Sequence, residues 1–386
     1  MSKLEELIKE FCPNGVECKS LLELVDIHKG IQFNKKDMAK EGSYPVINGG
    51  IAPSGYIENY NEQENTITIS QGGASAGYVN WLLTKFWAGA HCYVVKPLNN
   101  CILDNRYLFH FIKNNENILK QCQYGAGIPA LAKSTIQELQ IPLPALPVQR
   151  EIVRILDSFT LYSAELTAEL TARRKQYEFY RDKLLTFEQP EVKRVKLKEI
   201  ATEFYRGYGI TREQVTQEGI PCVRYGEIYT TYNVWFDKCI SHTKFETIAS
   251  PKYFEYGDIL FTITGESVED IAKSVAYVGH EKCLAGGDII VMKHNQNPKF
   301  LAYALSTFDA QQQKSKGKIK SKVVHSNVQS IENIEIYLPP IEVQERIVKV
   351  LDNFDSICSD LGIGLPAEIE KRQKQYEYYR DKLLTF

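Results

Sequence analysis

Along 147–187, apolar and aromatic residues recur at steps of three and four: Ile152, Ile155, Phe159, Tyr162 and Leu166, then, after one slip of phase, Leu170, Tyr177, Tyr180, Leu184 and Phe187. That spacing puts them on one face of a helix that lies along another helix. Nothing interrupts it, because the stretch has no internal Gly or Pro and Pro147 stands where a first-turn proline is tolerated. Forty-one residues at about 1.5 Å each predict a rod of roughly 60 Å. A second stripe follows: Ile347, Val350, Phe354, Ile357 and Leu361, then Ile369, Tyr376, Tyr379, Leu383 and Phe386. Gly362, Gly364 and Pro366 should kink this one midway, and Pro366 can open a fresh helix. The first eleven residues, MSKLEELIKEF, form a short amphipathic helix pattern.

The two stripes are copies. QYEFYRDKLLTF at 176–187 returns as QYEYYRDKLLTF at 375–386, with eleven of twelve positions identical. LPALPVQREIVRILDSF at 143–159 returns as LPPIEVQERIVKVLDNF at 338–354. The offsets are 199 and 195 residues, so the second copy carries four extra residues, near GIGLP at 362–366. The segments between, 12–146 and 188–341, match only loosely. Residues 43–47 echo 219–223, 88–96 echo 285–293, and Leu21, Glu23 and Leu24 match Leu197, Glu199 and Ile200. Within them, 65–70, 91–96, 258–264 and 288–293 read as strands, and 105–114 and 298–307 as helices. Phe11 stands as far from Leu21 as Phe187 does from Leu197, so residues 1–11 read as a detached end of the repeated helix.

The expected fold is therefore α+β. Two similar globular domains, 12–146 and 188–341, are joined by two long antiparallel helices, the central one at 147–187 and a C-terminal one at 342–386. The N-terminal helix packs near the C-terminal one, which makes the organisation circular and pseudo-two-fold. A near-identical frame around divergent domains implies one shared structural duty and two related but different targets.

Composition narrows the function class. Hydrophobic residues make up 44% and charged residues 24%, an ordinary globular balance, and no stretch is long and apolar enough to span a membrane. The start lacks the order of a signal peptide, so an intracellular, cytoplasmic protein is expected. Nine scattered cysteines without a CxxC predict reduced, mostly buried thiols. The net charge of −2 gives no global basic field, so any grip on nucleic acid must come from local basic segments.

Such segments exist. KSKGKIKSK at 314–322 carries Lys314, Lys316, Lys318, Lys320 and Lys322 around a glycine, which suits phosphate contact. Its counterpart in the first half is a polar, aromatic loop with Tyr124, Gly125 and Gly127. Lys29, Gln32, Asn34, Lys35 and Lys36 in the first half, and Arg206, Tyr208, Arg212, Arg224 and Tyr225 in the second, occupy comparable places. Arg can bind guanine through two hydrogen bonds, and Asn or Gln can do so with adenine. Any one of these residues fits an ordinary surface role as well, and the group means more than its members. Catalytic patterns do not emerge: GGASAG at 72–77 lacks a phosphate-loop ending, and neither HExxH nor GxSxG occurs.

The ordered set of LPxxxVQ before a long helix and QYE(F/Y)YRDKLL, each present twice, resembles the specificity subunits of type I restriction–modification systems. GLPAEI at 364–369 adds to the likeness, which spans the whole chain. The resemblance implies a non-catalytic subunit that binds double-stranded DNA. Each variable domain would read one part of a split target through the major groove, and the helices would fix the gap between the parts. It implies two modification subunits that bind S-adenosylmethionine and methylate adenine, and restriction subunits that use ATP and Mg for cleavage; the chain itself would hold no cofactor and no metal. Rival readings are a DNA enzyme with its own active centre and a structural adaptor between proteins. Methyl transfer or cleavage by the chain alone would mark the first, and steep salt-dependent DNA binding would separate the expected reading from the second.

Overall fold

The computed structural model describes residues 3–125, 127–189, 191–265, 267–268, 270–316, 324–359 and 362–386. It divides into two compact units, one made of 1–167 and 369–386 and the other of 168–368.

In the first unit the globular domain is closed at its neck, where the strand Cys18–Ser20 pairs antiparallel with Gln140–Pro142. An antiparallel sheet follows in the order Val25–Lys29, Cys92–Pro97, Thr66–Ser70, Val79–Leu82. A second, smaller sheet sets Tyr44–Ile47 parallel to Trp87–Ala88. Ile27, Ile67, Ile69 and Val95 from the larger sheet meet Tyr107, Leu108 and Ile112 of the helix Asn105–Asn114 in one core. Val148, Ile152 and Leu156, each one helical turn from the next, bring the start of the central helix, Leu146–Leu184, into that core.

The second unit repeats the scheme with additions. Arg194–Lys196 pairs with Glu335–Tyr337 at the neck. The counterpart of the larger sheet runs Ala201–Arg206, Ile289–His294, Ile259–Thr262, Ser274–Tyr277, and gains an edge strand, Trp235–Phe236, parallel to its neighbour. In the other sheet, which here also has five strands, Ile220–Val223 lies parallel to Cys283–Ala285. Ile347, Val348 and Leu351 of the helix Ile341–Ser359 join the core here, as Ile152 and Leu156 do in the first unit.

Helices pair antiparallel within each unit, and the pairing crosses the repeat. In the first unit Phe159, from copy one of the 143–159 motif, stacks on Tyr379, from copy two of the tyrosine motif, with centroids 5.6 Å apart and an interplanar angle of 23°. Arg372 lies over the Tyr162 ring. In the second unit the partners exchange copies: Phe354 stacks on Tyr180 at 5.9 Å and 25°. The last helix is Leu365–Leu384, with Pro366 in its first turn, and the one before it ends at Ser359. The N-terminal helix, Lys3–Phe11, shares the first core with Leu383 and Leu384 of the last helix and ties Lys3 to Glu151 at 3.2 Å.

Two details depart from the sequence reading. The apolar stripe is not one face, because the first turns of each helix serve both a domain and a partner helix. Leu156 and Leu351 turn inward while Tyr162, Val350 and Ile357 stay largely exposed. All nine cysteines are free as expected, but only Cys92, Cys222, Cys283 and Cys358 are buried; Cys18, Cys101 and Cys122 lie at the surface.

Candidate nucleic-acid interface

The repeated motifs build the mounting of each domain. Gln149 and Gln344 are fully buried. The Gln149 amide donates to the carbonyls of Pro144 (2.7 Å) and Ile102 (2.9 Å), and its oxygen accepts from the N–H of Asp104, the N-cap of the Asn105–Asn114 helix. Gln344 donates to Pro339 (2.8 Å) and accepts from the N–H of Asn297, the N-cap of Pro298–Leu305. A glutamine is needed because each clamp requires an acceptor and two donors at one buried point. Two turns on, Asp157 takes Arg106 (2.8 Å) and His110 (2.9 Å), and Asp352 takes Lys299, Tyr303 and the indole N–H of Trp235. The cations also lie over indoles: Arg106 over Trp81 at 4.7 Å and Lys299 over Trp235 at 3.4 Å. Burial raises the Asp157 carboxyl, but the hydrogen bonds from His110 and Arg106 outweigh it and hold the pKa down at about 2. Burial pushes the His110 imidazole below its ordinary value. The motif LPxxxVQ contains the two glutamines without giving them a role, and the aspartates, which recur at the same offset of 195, were not singled out from sequence.

The divergent loops gather at one end of each larger sheet. In the first unit Lys29 closes its strand and reaches over the Tyr93 ring at 5.8 Å. Burial raises the Tyr93 phenol above its ordinary value, and the nearby Tyr124 adds to the shift. Gln32, Asn34, Lys35 and Lys36 follow on an exposed loop, anchored where Phe33 packs edge-on to Trp87 and the Trp87 indole donates to Ile31. Tyr124 and Ala130 exchange both backbone hydrogen bonds across a tight loop, in which Gly125 needs φ +103. Gly125 and Gly127 are exposed. The 72–77 segment is bridged to that loop through Gly73 and Pro129, a backbone turn rather than a phosphate cradle.

In the second unit Arg206, Tyr208, Arg224 and Tyr225 line one concavity of about 360 Å³. Arg206 ends its strand, pairs with Asp288 at 2.7 Å and donates to the Gly287 carbonyl. Arg212 is exposed near Glu213; that carboxyl is held low by its own backbone N–H and the Thr211 hydroxyl, helped by Arg212 and Arg224. Glycines shape the floor: a Cβ on Gly207 would fall 2.1 Å from the Gly286 carbonyl oxygen, and one on Gly30 in the first unit 2.1 Å from that of Ala88. The two positions correspond, and both require glycine.

The lysine segment divides. Lys314 is buried, not presented to phosphate: it sits in the last turn of the helix Phe308–Ser315 and donates to the Leu305 carbonyl (2.8 Å) and Ser274 hydroxyl (3.2 Å). Burial pulls its pKa down to about 7, with Lys273 adding repulsion. Helical periodicity explains the correction, since one lysine of the run falls on the inward face. Lys316 is exposed just past that helix, and Lys318, Lys320 and Lys322 lie outside the described residues. A larger cavity of about 1350 Å³ in this unit runs from Arg174 to Phe187 against Thr307, Gln311 and Lys314; it collects both signs of charge along the helices, away from the mouth loops. Among the described residues no group of three or more His, Cys, Asp or Glu is placed to hold a metal, and no helix is long and apolar enough to cross a membrane.

Two alike domains, each clamped to its own helices and carrying unlike loops at its mouth, fit a protein with two related recognition surfaces. The chain belongs to the type I restriction modification DNA specificity domain family, whose model matches residues 13–173 and 190–371. It is 29% identical to the putative type I restriction enzyme specificity subunit S.HindORF215P of Haemophilus influenzae, over 99% of this chain and 98% of the relative. It is 30% identical to the EcoR124I/EcoR124II specificity subunit of Escherichia coli, over 100% and 97%. Its fold matches the type I S subunit of M. genitalium with a TM-score of 0.61 at 20% identity, covering 96% of each chain. It is accordingly a DNA-recognition subunit of a type I restriction–modification complex, a role that involves no catalysis of its own.

Proposed function

We propose that each unit reads one part of a split DNA target through its mouth loops, and that the helix frame docks two modification subunits. Those subunits carry S-adenosylmethionine and methylate an adenine in each part. Restriction subunits, with their ATP and Mg, join the same assembly for cleavage, and the cytoplasm is where the complex meets its DNA. The observation that carries this reading is the duplicated frame under divergent loops. The Phe159–Tyr379 and Phe354–Tyr180 stacks are the same contact made twice, and beside them Phe179 and Tyr378, repeat equivalents, are 61% and 62% exposed. A surface present twice suits two copies of one partner. In the first unit Lys29, the 32–36 loop and the Tyr124 loop face the DNA; in the second the Arg206–Arg224 concavity and Lys316 do so.

The test is methylome sequencing of cells that express this chain with its modification subunit, intact or with 188–341 replaced by another such domain. A split adenine-methylated motif that changes in one half only is the expected result. A change in both halves would defeat independent reading. Inserting one helical turn into 160–172 should lengthen the unread gap between the halves, and an unchanged gap would mean that the helices do not set it.

A further inference from the structure

The mouth of the second unit contains a cation, Arg224, whose side chain makes no hydrogen bond or ion pair among the described residues. Three backbone segments meet there without side chains between them: besides the contact at Gly207, a Cβ on Gly286 would lie 2.9 Å from the Val223 carbonyl oxygen, and one on Gly287 3.0 Å from the Gly209 Cα. Two arginines rise from this floor. Arg206 is committed to Asp288 and the Gly287 carbonyl. Arg224 follows the strand Ile220–Val223, and its backbone N–H is fixed by the Glu227 carboxylate at 3.1 Å. Among the described residues, its guanidinium has no hydrogen-bond acceptor and no carboxylate at ion-pair distance; the Glu213 carboxyl feels its charge only from further away. Tyr208 and Tyr225 flank the concavity, each 38% exposed.

A backbone-anchored arginine with an unpaired planar fork, in a shallow cavity edged by aromatic rings, matches a flat group that offers two acceptors side by side. Guanine offers O6 and N7 in this way in the major groove, and no other base edge does. A phosphate is the weaker match, because the Asp288 carboxylate shares the cavity. The corresponding place in the first unit is occupied differently. Asn48 follows the strand Tyr44–Ile47 as Arg224 follows its own. The Asn48 side-chain oxygen accepts from the His91 N–H at 3.4 Å, and a Cβ on Gly89 would fall 2.2 Å from it, so this amide is folded onto its own backbone.

We propose that Arg224 is a specificity-determining residue of the second unit, reading one guanine of its half-site through the guanidinium fork, with Arg206 as a positioning residue that keeps Asp288 occupied. The proposal rests on the reading of the units as DNA readers, and it assigns a base to one of them. The test uses the full chain assembled with its modification subunits and measures methylation of duplexes carrying every single-base change in each half-site. The wild-type complex should require a G·C pair at one position of the second half-site. Arg224→Gln should lose about 10–100-fold of the preference for guanine at that position alone, with a gain toward adenine, and leave the first half-site unchanged. Arg224→Lys, which keeps the charge but not the fork, should also lose the preference.

Uniform weakening on all duplexes by Arg224→Gln, with the preference intact in Arg224→Lys, would make Arg224 a phosphate contact and overturn the proposal. So would an unchanged profile, or a second half-site with no guanine requirement. Loss of every preference in the second half-site by both variants would point to a damaged domain and likewise overturn the assignment to a single base. A wild-type complex that methylates no split motif would instead overturn the reading of the units as DNA readers.

Discussion

The two units solve one mounting problem with different side chains. Both begin from a buried glutamine and, two turns later, an aspartate. In the first unit that aspartate meets an arginine and a histidine, Arg106 and His110; in the second, Lys299 and Tyr303 stand on the equivalent helix face. The sheets differ in the same spirit. The second unit adds an edge strand to its larger sheet yet keeps the parallel pairing of Ile220–Val223 with Cys283–Ala285, as Tyr44–Ile47 keeps Trp87–Ala88. What is held constant is the backbone path and the groups on the frame; what varies is any side chain that needs only to supply a donor. Position is conserved in the frame, and chemistry is free to diverge at the mouth.

The strongest way to break the comparison is to remove a clamp. Gln149→Ala or Gln344→Ala leaves a buried N–H and buried carbonyls without partners, and each should cost about 3 kcal/mol in the unit that carries it. Urea unfolding followed by probes in each unit reads this; equal loss in both units would mean the clamps do not act locally. Next come the crossed stacks. Phe159→Ala and Phe354→Ala should each cost about 1–2 kcal/mol, and by similar amounts if the two contacts are equivalent. A cost confined to one of them would end that equivalence.

The histidine offers a sharper contrast. Because His110 has a pKa below its unfolded value of 6.5, the unfolded chain takes up a proton first as pH falls, and stability drops below that value until the folded pKa is passed. Asp157 acts further down: its contribution is present above the ordinary carboxyl value of 3.8 and is lost as pH falls toward about 2. His110→Tyr copies the second unit; it should remove the first unit's share of the loss that begins near pH 6.5 and shrink the loss below 4, because a neutral phenol then replaces one of the two donors that hold Asp157 down. His294 in the second unit, held down to about 4 by burial, keeps its own acid sensitivity in that variant. Melting temperature against pH for both proteins decides the matter.

The smallest expected effect separates two neighbours in one lysine run. Lys316→Ala should reduce the salt slope of DNA binding by about 0.9, the value of one released counterion. Lys314→Ala should leave that slope unchanged and lower stability instead, since its amine closes the Leu305 carbonyl inside the fold. A flattened slope for Lys314→Ala would show that the buried amine reaches the DNA after all.

The chain's periodicity and its internal copies were enough to read two mixed domains, two helical stretches of copied sequence and the family. Those properties depend on patterns that are local or repeated, such as QYEFYRDKLLTF and LPALPVQREIVRILDSF, and repetition is visible without coordinates. The crossing of the copies follows from the antiparallel pairing expected of 147–187 and 342–386, but the particular stacks, Phe159 on Tyr379 and Phe354 on Tyr180, were not visible, because a shared stripe does not say which rings meet. Nor was the mouth. Arg206 and Arg224 stand eighteen residues apart in sequence and meet only because two strands from different sheets end at one place. Lys314 and Lys316 look alike in sequence, yet one lies beneath the surface and the other on it, a difference set by the turn of a short helix against its neighbours. Pattern determined the elements and their duplication; tertiary packing decided which polar groups are consumed in holding the fold and which are left to face a partner, because a hydrogen-bond partner is a property of space and not of sequence order.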